Sequence, residues 1–389
     1  MDSKIVEYAI LVVAVSPFIY YLLAIFSSWR FFKQAKDQKP IRTNYTPPVS
    51  NLKPVRGLDP DAYENFASFC RQDYPEYEIL FCVGDLDDPV VPVVEKLIRD
   101  FPDRRIRVLV GSGSDAPNDK VAKLARLVQE AQYEVLVISD SDTRVQPDYI
   151  RTVVAPLADP EVGATTCLYA STGDRTAVQK LQSVGMLSDF FPGILVARQL
   201  DGVKFTLGPT IATTRTRLAE FGGYHAIDDR PGDDLLVGRL IAQRGYEVKL
   251  LPYLVSAVPD YDSLKALFQK RLRWIVVMRH MRPLGHLGLL FTQGLPWSIA
   301  AIAVHPSLAT AGAYLGIYIV LRMLMTWVVA VRGLKQGTLW ARLPFIVTWD
   351  AMAFTIWVVS FLRRSIRWRN AKYYIRKGLL QPATQVRND

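Results

Sequence analysis

The spacing of apolar residues changes twice along this chain. From Ile5 to Trp29 they run almost unbroken, with Glu7 the main interruption. At 1.5 Å per residue, a helix of that length crosses about 30 Å of hydrocarbon, so the run reads as a transmembrane anchor. It is too long for a cleaved leader, shows no obvious small-residue cleavage site, and carries its positive flank on the wrong side. Pro40 to Pro54, with Pro47, Pro48 and Ser50, reads as a linker. Beyond it, short apolar runs alternate with amphipathic stretches. Tyr77–Val83, Arg105–Val110, Glu134–Ser139 and Val162–Tyr169 read as strands. Val90–Asp100, Lys120–Ala131 and a stretch near Pro147–Leu157 read as helices. This alternation predicts an α/β domain with a mostly parallel sheet covered on both faces. Long apolar segments then return at His286–Val304, Leu308–Val331 and Leu343–Leu362. The first of these contains Gln293, Gly294 and Pro296, and the other two are cleaner spans.

Charge turns these spans into a topology. Arg30, Lys33, Lys36, Lys39 and Arg42 follow the first span, against Lys4 alone before it. The positive-inside rule places the downstream side in the cytoplasm. A basic tail closes the chain with Arg363, Arg364, Arg367, Arg369, Lys372, Arg376 and Lys377. Its seven charges end inside if His286–Val304 re-enters or lies in the interface. Arg332, Lys335 and Arg342 are then left outside, and the charge count favours this arrangement. Lys and Arg outnumber Asp and Glu by 47 to 37. No nucleic-acid motif accompanies the surplus, and the clusters flank apolar runs, so the partner is a lipid bilayer. The three cysteines, Cys70, Cys82 and Cys167, form no C-x-x-C pair and lie far from the four histidines. That argues against a disulfide framework or a structural zinc site.

Candidate chemistry gathers where strands end and helices begin. Val135-Leu-Val-Ile-Ser-Asp140-Ser-Asp142 is a buried strand running into D-x-D. Strand ends open onto the ligand crevice of an α/β sheet, where two carboxylates suit Mg²⁺ or Mn²⁺ against a diphosphate. The plainer reading is a capped turn. Phe81-Cys-Val-Gly-Asp85-Leu-Asp-Asp88-Pro89 also ends a strand. Its carboxylates can accept hydrogen bonds from a base or ribose, while Asp88 before Pro89 is also a good helix start. Asp233 and Asp234 open an amphipathic helix. Carboxylates there favour the helix dipole, and one could instead take a proton from an acceptor hydroxyl. In Gln269-Lys-Arg271-Leu-Arg273-Trp274 the two arginines cannot share a helix face, so one can meet phosphate while the other faces solvent or lipid.

In this order and spacing, the four clusters resemble a family-2-type GT-A glycosyltransferase, with the pattern D, D-x-D, (E/D)-D and (Q/R)-x-x-R-W. More narrowly, Lys53-Pro-Val-Arg-Gly-Leu-Asp-Pro, Asp73-Tyr-Pro-Glu-Tyr-Glu, Cys82-Val-Gly-Asp-Leu-Asp-Asp-Pro and Ala242-Gln-Arg-Gly-Tyr are similar to ceramide glucosyltransferases, members of glycosyltransferase family 21. The resemblance implies a GT-A catalytic domain, with a Rossmann-like mixed sheet, over 45–285. It also implies an N-terminal anchor over 1–30, a membrane region over 286–362 and a cytoplasmic tail over 363–389. Asp85, Asp88, Asp140, Asp233, Arg271, Arg273 and Trp274 would bind substrate, Asp140 and Asp142 the metal, and Asp234 would be the base. Two departures stand out: Lys270 where the last motif has Gln or Arg, and Phe191-Pro192 where animal enzymes carry His-Pro.

The implied reaction is an inverting transfer of a sugar, glucose first, from a UDP-sugar to the hydroxyl of a membrane lipid, ceramide first. The protein is then a multi-pass membrane enzyme with its catalytic domain on the cytoplasmic face. Its base is ionised at pH 7 without a large shift. The competing assignments are a hopanoid N-acetylglucosaminyltransferase and a processive polysaccharide synthase. Two charges inside the spans, Arg322 and Asp350, lie at matching depth if the last two helices are antiparallel. Either they pair across the hairpin, or Arg322 snorkels to the headgroups while Asp350 lines a lipid groove alone.

Overall fold

The computed structural model describes residues 3–37, 44–114, 116–171, 176–259, 263–335, 344–368 and 371–383. Lys39, Arg42, Arg342, Leu343 and Arg369, used in the charge and span arguments, lie outside the described residues. The chain divides into two compact units.

One unit comprises Gln38–Gly173, Asp201–Asp260 and Leu379–Asp389. It is built on an eight-stranded sheet in the order β3-β2-β1-β4-β7-β6-β8-β5. The strands are β1 Val49–Pro54, β2 Tyr77–Val83, β3 Arg105–Val110, β4 Val135–Ile138, β5 Thr143–Arg144, β6 Val162–Ser171, β7 Ile211–Thr214 and β8 Glu247–Ala257. β3, β2, β1 and β4 are parallel neighbours, and β7 then enters antiparallel to β4. This is the mixed sheet of the GT-A fold. Helices Ala62–Cys70, Val91–Asp100 and Tyr149–Val154 bury Phe66, Phe69, Val94, Leu97, Ile150 and Val153 in a core shared with β2 and β4.

The linker reading fails at residues 49–54. They form β1, with all six residues buried between β2 and β4. Its sequence, VSNLKP, hides the strand because it buries polar side chains, of which Ser50 and Lys53 find partners inside the fold and the Asn51 amide finds none. Ser50 donates to Glu78, and Lys53 donates to the Asp140 carbonyl at 3.2 Å. Pro54, which donates no ladder bond, ends the strand, where such a residue is tolerated.

The other unit comprises Met1–Asp37, Asp174–Leu200 and Tyr261–Gly378. Residues 176–200 and 263–285, read from sequence as part of the catalytic domain, thus pack with the terminal helices. Three helices among the described residues are long and apolar enough to cross a membrane: Lys4–Asp37, Leu308–Gly333 and Pro344–Leu362. The ambiguous segment is bent by 57° between Pro283–Thr292 and Gly294–Val304. The basic tail contains an antiparallel hairpin, Ser365–Trp368 with Ala371–Arg376.

Helix Ser16–Asp37 runs parallel to Leu308–Trp327. The Tyr314 hydroxyl donates to the Leu11 carbonyl at 2.8 Å, Arg322 lies over the Tyr21 ring, and Gly333 packs on Phe32. Arg332 therefore sits at the same helix ends as Arg30 and Lys33, whereas the charge count had placed it on the opposite side. Arg322 and Asp350 do pair. Arg322 Nε donates to Asp350 Oδ2 at 2.8 Å and Nη2 donates to Oδ1, both side chains being buried. Tyr318 donates to the same carboxylate at 2.7 Å, and Arg322 also reaches the Ser188 carbonyl.

Candidate active site

The parallel register brings three strand ends to one edge. Pro54 lies beside Cys82 and Leu52 beside Ile138, so the segments after β1, β2 and β4 open together. This is the edge at which α/β sheets bind ligands. β7 runs antiparallel with Ile211 beside Ile138, so the residues just before it reach the same edge.

Asp85 sits there exposed to solvent, after β2. Asp88 is committed to backbone. Its carboxylate accepts from Gly57 N–H at 2.9 and 3.1 Å and from Val90 N–H at 3.1 Å, which ties the loop after β1 to the following helix start. Asp140 and Asp142 follow β4. Behind them Lys53, fully buried, places its ammonium 3.2 Å from the centre of the Phe69 ring as well as on the Asp140 carbonyl. Burial pushes the Lys53 pKa well below the usual lysine value, with Asp140 and Asp142 opposing.

Asp233 and Asp234 begin helix Asp233–Gln243, after Gly232 at φ 71°. The Asp234 carboxylate is gripped on both oxygens, by Leu235 N–H at 2.9 Å and Gly208 N–H at 3.0 Å. Thr206 Oγ1 donates to the Asp234 carbonyl at 2.6 Å. This close approach depends on Gly238, where a Cβ would fall 2.3 Å from Thr206 N. Gly208 opens the space between the two acidic motifs. A Cβ there would lie 2.8 Å from Asp140 Oδ2 and 3.5 Å from Asp234 Oδ2. Burial, and then repulsion from Asp233, push the Asp234 pKa up to about 6. The shift is larger than the sequence reading expected, because β7 and the base helix remove water that sequence does not show.

Lys120 completes the cluster and was missed from sequence. It lies in the first turn of helix Asp119–Glu130, with its ammonium 2.8 Å from Asp140 Oδ1 and 3.1 Å from Asp233 Oδ2. A cation in a first helical turn opposes the helix dipole, and that was the available signal. Asn118 fixes the geometry. Its side chain caps Val121 N–H and donates to the Arg230 carbonyl at 2.9 Å, drawing the start of helix Asp233–Gln243 toward Lys120. The Asp140 and Asp233 carboxylates hold the Lys120 pKa well above its usual value against the pull of desolvation.

Arg271, Arg273 and Trp274 belong to the other unit, in helix Leu264–Met281. Arg271 is buried, donates to Gln182 Oε1 at 3.2 Å and lies over the rings of Trp274 and Trp349. Arg273 is on a partly exposed face, as the two-residue spacing required. Phe191 and Pro192, also in that unit, are buried.

The sequence profile of glycosyl transferase family 21 matches residues 9–380. The chain belongs to glycosyl transferase family 21. Among curated relatives of this family 21 chain is ceramide glucosyltransferase 1 of Caenorhabditis elegans. It is 22% identical over 343 residues, 85% of this chain and 72% of that protein. A shorter match, 33% identical over 91 residues, joins 22% of the chain to 18% of the ceramide glucosyltransferase of Komagataella phaffii. Among solved structures, a mannosyltransferase from Pyrobaculum calidifontis in complex with GDP-Man and Mn²⁺ superposes with a TM-score of 0.56. It shares 19% identity, covering 90% of this chain and 98% of that one. The family 21 chain thus has the GT-A fold.

The donor set fits a hard divalent cation that completes its shell with substrate oxygens. Among the described residues no three His, Cys, Asp or Glu side chains form a metal-binding group. Of the D-x-D carboxylates, Asp140 lies beside the room that Gly208 leaves open. Oxygen donors few in number suit Mg²⁺ or Mn²⁺, which share their ligands with phosphates.

Proposed function

We propose that this chain transfers a sugar, with inversion, from a UDP-sugar to the hydroxyl of a membrane lipid. Glucose is the first candidate donor sugar and ceramide the first candidate acceptor. The observation that carries this reading is the Asp234 carboxylate, held by two backbone N–H groups across the Gly208 gap from Asp140. That placement suits a base facing a donor-binding carboxylate, with room for a reacting carbon between them.

Asp85 and Asp140 bind the nucleotide, and Asp233 positions its end of the site. Asp140 and Asp142 would hold a divalent cation, which neutralises the departing diphosphate. Asp234 accepts the proton of the attacking hydroxyl on the face opposite the leaving group. One displacement then turns an α-linked donor into a β-linked product, and no glycosyl-enzyme forms. With a pKa of about 6, Asp234 is ionised at neutral pH and basic enough for this task. Arg271, Arg273 and Trp274, which belong to the other unit, keep the substrate-binding role that the family resemblance implies. The relatives named ceramide glucosyltransferase support a lipid acceptor, the apolar helices support a multi-pass membrane enzyme, and the basic flank at Arg30, Lys33 and Lys36 favours a catalytic unit on the cytoplasmic face.

The test is full-length protein in nanodiscs, given UDP-glucose or UDP-N-acetylglucosamine with ceramide or a hopanoid. Lipid products are identified by mass spectrometry and their anomeric configuration by NMR. A β-glucosylated ceramide is the expected product. An α-linked product would remove the inverting mechanism, and label in insoluble polymer would favour a polysaccharide synthase.

A further inference from the structure

Lys120 stands where two motifs meet. Its ammonium joins Asp140 of the D-x-D to Asp233 of the base pair, and its side chain is 21% exposed. Asp140 is one of the two carboxylates that would hold the divalent cation. A lysine ammonium is a compact point charge on a flexible stem, so it can neutralise a carboxylate pair and still swing away. Beside it lies a second feature. The Tyr224 hydroxyl is buried within electrostatic reach of Asp233 and Lys120, yet it makes no hydrogen bond. A buried hydroxyl without a partner is costly, and it offers an acceptor to a moving ammonium.

We propose that Lys120 is the resident counter-cation of the acidic cluster, holding Asp140 and Asp233 together until a metal–diphosphate complex displaces it. The divalent cation then enters with the donor and not ahead of it. A cation arriving alone meets Lys120 at the carboxylate it needs, and like charges at such short range repel. A cation arriving with a diphosphate brings negative oxygens that attract the same ammonium. Lys120 is thus a positioning residue that orders binding. This rests on the metal-assisted, nucleotide-dependent reading proposed above.

The experiment uses full-length protein in zwitterionic nanodiscs, with Mn²⁺ binding followed by electron paramagnetic resonance and UDP binding by calorimetry. Wild type should bind Mn²⁺ alone weakly and Mn²⁺ with UDP at least about tenfold more tightly. Lys120→Met should bind Mn²⁺ alone at least about tenfold more tightly than wild type. The same variant should bind UDP at saturating Mn²⁺ more weakly. Lys120→Arg should keep the wild-type order. A merely structural lysine would weaken both affinities, so unchanged or weaker Mn²⁺ binding by a folded Lys120→Met overturns the proposal. If that variant does not fold, wild type carries the test: Mn²⁺ and UDP binding independently of one another overturns it. Wild type that binds UDP without regard to metal overturns this inference and the metal role together. Wild type that binds neither overturns the nucleotide-dependent reading too.

Discussion

Gly208 N–H donates to Asp234 Oδ2 at 3.0 Å, and the absence of a Gly208 side chain lets Asp140 and Asp234 both approach this backbone. One residue thus holds the candidate base and clears the space in front of it. Gly208→Ala should lower kcat/KM by about a hundredfold or more, since the new methyl meets Asp140 Oδ2 at 2.8 Å. A misplacement of about 1 Å at a reacting centre has an effect of that size. The displaced atom ends a mobile side chain, so the apparent melting temperature should move by only a few degrees. Activity near wild type would show that nothing reacts in this gap.

Asp234→Asn should abolish turnover and leave UDP-sugar binding within a fewfold. More than a tenth of wild-type kcat would remove Asp234 from the role of base. The same change should stabilise the protein at neutral pH. A folded-state pKa raised to about 6 means the fold prefers the protonated acid. The ionised carboxylate destabilises the native state by up to about 3 kcal/mol above pH 6, and not at all below the unfolded value near 4. Thermal melts should show the variant gaining at pH 7.5 and losing its advantage by pH 4.

That pKa also fixes an acid limb. In the free enzyme, kcat/KM should fall about tenfold per pH unit below about 6 as Asp234 takes up its proton. Repulsion from Asp233 is one cause of the raised value, so Asp233→Asn should move the limb to lower pH. A limb that stays put in that variant would mean another group is titrating.

Asp142→Ala should lose the metal dependence of donor binding. Affinity for UDP-sugar, measured with and without Mn²⁺, should differ in wild type and converge in the variant. Equal affinities in wild type would argue against a metal at the D-x-D.

Several strands and the acidic motifs were legible because they obey local rules. β2, β3, β4 and β6 are short apolar runs, and Asp140 and Asp234 follow a strand end and open a helix. β1 was not legible, because Ser50, Asn51 and Lys53 read as surface until Glu78 and Asp140 are known to face Ser50 and Lys53. Lys120 was missed for the same reason. Its partners lie 20 and 113 residues away, and the bonds from Asn118 to the Asp228 and Arg230 carbonyls that draw Asp233 toward it are tertiary. The helices at 177–201 were invisible as partners of the terminal spans. Their apolar face looks like any core helix, and packing of Val196 against Phe18, Tyr21 and Tyr318 is a tertiary fact.

The pair Arg322–Asp350 is where sequence alone placed two distant residues together, and its energetics can be read directly. The ion pair is buried, and Tyr318 and the Ser188 carbonyl satisfy further valences. Such a network is not guaranteed to stabilise, because desolvating both ions offsets most of their attraction. Removing one partner is different, since it leaves an uncompensated charge in an apolar setting, at a penalty of about 3–5 kcal/mol. Arg322→Leu and Asp350→Leu should each therefore reduce expression and detergent stability sharply. The double variant should recover much of the loss, although the Tyr318 hydroxyl then lacks its acceptor. The measurement is a double-mutant cycle on apparent melting temperature in one detergent, with membrane yield as a second readout. Losses that simply add would mean the two charges act independently.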